Sequence, residues 1–72
     1  MTRYEYTDAL ERLRLNHTKA AALLGIIPKS SSRYAKGRRE VPATVANMLR
    51  LMLAKEISAD EVLSLLNNGS SS

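Results

Sequence analysis

Apolar residues recur along most of this chain at intervals of three and four, the repeat of a helix that buries one face. Tyr6, Leu10 and Leu13 set that spacing near the start. Thr2 and Glu5 add the pattern of a capping box, so a first helix is expected over roughly residues 3 to 14. Asn16 is a good N-cap, Ala20 to Leu24 are strong helix formers, and Gly25 suits the left-handed residue that ends a helix; the second helix is read as 17 to 24. Pro28 fits a first helical position, where its fixed φ helps and its missing N–H costs nothing. A third helix follows over about 28 to 36 and stops at Gly37. Pro42 opens a fourth, in which Val45, Leu49, Met52 and Leu53 form the apolar stripe to about residue 55. Ser58 and Glu61 repeat the capping box and start a fifth, carrying Val62, Leu63, Leu65 and Leu66 to about Asn67. The expected fold is all-α, a compact five-helix bundle in one domain over 1–68, with a disordered GSSS tail at 69–72.

Within the third helix the residues divide by face. Ser31, Tyr34 and Ala35 share one side and Lys29, Ser32, Arg33 and Lys36 another, with Ser30 at the edge of the second. One side can pack while the other reaches outward. Arg38 and Arg39 follow at once, so residues 29 to 39 carry five of the chain's eleven basic residues and no acid. The formal net charge is only +4, but six of the seven acids, Glu5, Asp8, Glu11, Glu56, Asp60 and Glu61, lie toward the ends. A basic middle of this kind has phosphate as its natural counter-charge.

Residues 6 to 54 resemble the helix-turn-helix of the Cro and lambda-repressor (XRE-like) family. The resemblance is carried by Leu15 before the cap, Ala21 at the helix crossing, the Leu24-Gly25 turn, the aromatic Tyr34, Gly37, and Val41-Pro42 opening the next helix. It implies a lambda-repressor-like fold in which Pro28 to Lys36 is the recognition helix and His17 to Leu24 crosses the DNA backbone. Small regulators of this pattern are similar to those of phage and mobile elements, anti-CRISPR-associated repressors and antitoxins among them. Base contacts are expected from Lys29, Ser30, Ser32 and Arg33. Arg33 is the main candidate, because a guanidinium can bond both acceptors of a guanine edge; a phosphate contact is its other reading. Backbone contacts are expected from His17 and Thr18, at the positive end of the second helix, and from Lys19, Lys36, Arg38 and Arg39.

Two positions depart from the family pattern. Ile27 stands where a Ser or Thr usually caps the recognition helix, a loss of about 1 kcal/mol of helix stability. Ser31 stands where a Val or Ile is usually buried. With three consecutive serines of middling propensity, residues 27 to 36 are expected to be the helix least protected from amide exchange in the free protein; alternatively, Ser31 back-bonds to the Ile27 carbonyl and the helix is ordinary. Tyr34 reads as a core aromatic with its hydroxyl outward, and Tyr4 and Tyr6 as packing residues of the first helix.

The last two helices hold more apolar residues than one buried face requires. A two-fold dimer interface through Met48, Leu51, Met52, Leu63 and Leu66 is expected, the alternative being that these helices complete the monomer core. Seventy-two residues leave a thin margin of stability, which dimerisation would widen. There is no cysteine and a single histidine, so neither a disulfide nor a metal site is expected, and no cofactor. No apolar run approaches the roughly 20 residues of a membrane span, and a cytoplasmic protein without membrane or small-molecule partners is expected. The serine run has no activating partner and Gly25 and Gly37 are too far apart to cradle a phosphate, so the chain is not expected to be an enzyme. These expectations combine into a sequence-specific repressor that binds an inverted repeat in a promoter as a homodimer and autoregulates its operon. Two other readings are an antitoxin-like protein-interaction module with secondary DNA binding and a non-specific nucleic-acid binder.

Overall fold

Turns that close the first four helices organise this chain. The structure, a computed structural model, describes residues 1–70, with side chains as far as Leu66. Five helices and no strand occur among the described residues: α1 (Arg3–Arg12), α2 (His17–Leu24), α3 (Pro28–Ala35), α4 (Ala43–Ala54) and α5 (Ala59–Ser70). α1 stops two residues before its expected end because Arg14 turns left-handed, at φ 56°, and the Leu15 N–H returns to the Leu10 carbonyl at 2.8 Å. α4 closes in the same way through Glu56, at φ 54°, with the Ile57 N–H on the Met52 carbonyl at 3.0 Å. α2 and α3 use Gly25 and Gly37 for this step, both at φ 70°, where a side chain would be strained. At Gly37 a Cβ would also stand 2.8 Å from Arg3 Cδ. α5 continues to Ser70, past its expected end near Asn67; residues 71 and 72 of the expected tail lie outside the described residues.

Helix starts follow the side chains available. Thr2 Oγ1 accepts the Glu5 N–H at 3.1 Å and the Glu5 carboxylate accepts the Thr2 N–H at 3.0 Å, a complete capping box. That backbone hydrogen bond holds the Glu5 carboxyl below its usual range. Asn16 Oδ1 accepts the Lys19 N–H at 2.7 Å and Ser58 Oγ the Glu61 N–H at 3.1 Å. Ile27 gives α3 no side-chain cap, as its chemistry requires, and Pro28 occupies the first turn.

The core joins Tyr6, Ala9 and Leu10 of α1 to Leu15, to Ala20 and Leu23 of α2, to Tyr34 of α3, to Val41, and to Val45, Ala46, Leu49 and Met52 of α4. α2 and α3 are the most closely packed pair; α1 lies on both α3 and α4, and α5 rests against α2. Buried Ala20 and Ala21 keep the α2 surface flat enough for such an approach. Two expectations are corrected here. Tyr4 is 68% exposed and does not pack, because it stands two residues from Tyr6 on the far side of α1 from the buried stripe; its ring lies under the Arg3 guanidinium, 4.7 Å from the centroid. Met52 is 1% exposed and belongs to the core, so it is not available to a dimer partner. Among the described residues, no helix is long and apolar enough to cross a membrane.

Candidate nucleic-acid interface

α3 carries its chemistry on two sides, and the packing sorts them. Ser31 and Tyr34 are buried, and Ala35 is half-buried beside them. Tyr34 meets Tyr6 edge to face, with ring centroids 5.6 Å apart and planes at 79°. No described residue pairs with the Tyr34 hydroxyl, which reaches water as expected. On the other side Lys29 and Arg33 are exposed, while Ser30 and Ser32 are partly covered. Lys36, Arg38 and Arg39 continue the exposed basic surface beyond the helix. Thr18 and Lys19 are exposed in the first turn of α2, and His17 is half-buried at its first position.

None of Lys19, Lys29, Arg33, Lys36, Arg38 and Arg39 forms an ion pair among the described residues, where the one salt bridge joins Arg12 to Asp8 at 2.9 Å on the surface of α1. These six side chains are thus free of direct ion pairs among the described residues, which suits an anionic partner. The C-terminal end of α3 is held by Arg3, whose guanidinium donates to the Lys36 carbonyl at 3.4 Å.

Ser31 is 0% exposed and makes a contact that sequence reasoning missed. Its Oγ lies 2.6 Å from the Tyr6 hydroxyl and 2.7 Å from His17 Nδ1, so the back-bond to the Ile27 carbonyl is not formed. The serine that replaces an expected aliphatic residue is therefore paired in the core rather than idle. Burial raises the Tyr6 hydroxyl above the usual tyrosine value, with the Ser31 hydrogen bond pulling the other way. The signal for this triad was present as three polar residues on three helices, but no spacing rule links residues 6, 17 and 31.

Away from this face, the expected dimer residues fall into two groups. Met48, Leu51 and Leu66 are exposed, whereas Leu63 is half-buried against the core. Leu65, 64% exposed, joins the uncovered set and was not among the expected residues. Ile27, 61% exposed before α3, is a further apolar side chain left in water beside the basic surface. Comparison of the chain with family models, curated proteins and solved structures found no match.

Proposed function

We propose that this chain is a sequence-specific double-stranded DNA-binding repressor of the Cro and lambda-repressor type, acting as a homodimer on an inverted repeat and autoregulating its own operon from the cytoplasm. The observation that carries the reading is the division of α3, buried through Ser31 and Tyr34 and open through Lys29 and Arg33, with unpaired cations on both flanks. α3 is the recognition helix in this reading. Lys29, Ser30, Ser32 and Arg33 meet base edges, and His17, Thr18, Lys19, Lys36, Arg38 and Arg39 meet the backbone. A second copy covers Met48, Leu51, Leu65 and Leu66, four of the apolar side chains that the folded chain leaves in water.

A gel shift against the DNA upstream of its own gene, with unrelated duplex as competitor at near-physiological salt, tests this function. A discrete complex that survives competition, at a preference of roughly a thousandfold or more, is expected. Smearing that the competitor abolishes would defeat sequence specificity. The same exposed leucines favour one second reading, an antitoxin-like module that grips a protein partner. A monomer at micromolar concentration by sedimentation, together with no preferred duplex, would select it.

A further inference from the structure

Three helices meet at one serine hydroxyl. Tyr6 of α1 and His17 of α2 both reach Ser31 Oγ of α3, and Tyr6 and Ser31 are each 0% exposed. Two hydrogen bonds need two hydrogens, and each buried hydroxyl brings one. When Tyr6 donates to Ser31 and Ser31 donates to Nδ1, both hydrogens are used and Nδ1 is bare, which leaves the ring hydrogen on Nε2. With the ring hydrogen on Nδ1 instead, either the Tyr6 or the Ser31 hydroxyl hydrogen has no acceptor among the described residues, an arrangement that folded proteins avoid. The Ile27 carbonyl takes the Ser30 and Ser31 amides and no hydroxyl. The arrangement with Nδ1 bare is the one that leaves no buried hydrogen unpaired.

The other ring nitrogen faces a different environment. No described residue bonds Nε2, and among these residues no buried side-chain nitrogen lacks a partner, so Nε2 reaches water. It belongs to the first residue of α2, next to exposed Thr18 and Lys19.

We infer that the Tyr6–Ser31–His17 chain keeps Nδ1 of His17 as an acceptor and so turns its Nε2–H toward a DNA phosphate oxygen, which makes Ser31 and Tyr6 positioning residues for a contact neither can touch. The phosphate half rests on the DNA-binding reading above; the tautomer rests on counting hydrogens. Since Ser31 belongs to α3, the same hydrogen bond ties the backbone contact to the helix that reads bases. One hydroxyl thereby sets the geometry of both.

His17 is the chain's one histidine, so its ring nitrogens can be assigned directly by NMR. At about pH 8, above the ordinary histidine range, long-range proton–nitrogen spectra of the free full chain are expected to place the hydrogen on Nε2 and to show Nδ1 moving on Ser31→Ala. Tyr6→Phe keeps the ring and removes the first donor, so it should move Nδ1 less, and circular dichroism checks that both variants fold. A hydrogen on Nδ1 in the unaltered chain, or an Nδ1 resonance indifferent to both substitutions, overturns the assignment. A duplex shown by gel shift to be bound should then move the Nε2–H resonance. His17→Gln, which keeps a donor near the ε position, should hold affinity within about twofold, while His17→Ala loses about fivefold, the net worth of one hydrogen bond. A bound duplex that leaves Nε2 unmoved, or equal losses in the two variants, overturns the phosphate half. If no duplex binds at all, the DNA reading fails and takes the phosphate half with it, while the free-protein spectra still decide the tautomer.

Discussion

The junction of α1, α2 and α3 and the exposed faces of α4 and of α5 treat their side chains in opposite ways. At the junction a serine, a tyrosine hydroxyl and a histidine nitrogen are taken from water and paired with one another. On the exposed faces Leu51, Leu65 and Leu66 stay at least half exposed although nothing in their chemistry needs water. Polar groups go inside where a partner waits, and apolar groups stay outside where the chain has run out of surface to cover them. α5 illustrates the second case. Ala59, Val62, Leu63 and Leu66 fall on one stripe, yet burial falls from Ala59 at 6% exposed to Leu66 at 50% as the helix runs on. The junction completes itself, whereas the outer leucines stay uncovered by the chain's own fold.

Salt gives the largest test of what the basic face does. If six phosphates are neutralised, affinity for a preferred duplex should fall about a thousandfold between ~50 and ~200 mM salt, and a flat response would remove the backbone contacts from the reading. Arg33→Ala should then relax sequence preference by about 1–3 kcal/mol, while Arg39→Ala weakens all duplexes alike; equal behaviour in competition assays would erase the distinction between base and backbone contacts.

Stability separates the two regions more directly. Ser31→Ala leaves the Tyr6 hydroxyl without its partner and should cost about 1–3 kcal/mol in urea unfolding. Changing Leu65 and Leu66 together to serine should leave the isolated chain within about 0.5 kcal/mol per site, but should shift sedimentation from dimer to monomer. A large loss of monomer stability instead would show that the outer leucines serve this chain's own fold.

Smaller gains come from repairing helix ends. Ile27→Ser supplies the cap that α3 lacks and should stabilise by about 1 kcal/mol, and Arg14→Gly relieves a left-handed residue for about 0.5–1 kcal/mol; unchanged melting would mean that these ends are not limiting. The smallest effect is acidic. Because Glu5 titrates below its usual value when folded, the stability it lends is present above the ordinary glutamate range and is lost as the pH falls through its lowered value; amide exchange of the first turn should quicken there.

Much of the fold was legible because its signals are local. The Thr2 box, the Asn16 cap, Gly25, Pro28, Pro42 and the Ser58 cap each act within four residues, and all five helices start where those signals put them. α1 was read too long because its stop is Arg14, a residue type that gives no warning of a left-handed φ. The face of α3 that packs was legible too, since helical spacing alone separates Ser31 and Tyr34 from Lys29 and Arg33. The sequence by itself thus determined the helices, their order and the side of α3 that carries charge. Only the tertiary structure decided that Met52 is core while Leu65 is surface, and that Ser31 meets Tyr6 and His17 across three helices. The reason is physical: helix periodicity acts between neighbours along the chain, whereas burial and hydrogen-bond pairing depend on how separate helices approach, which no local spacing records.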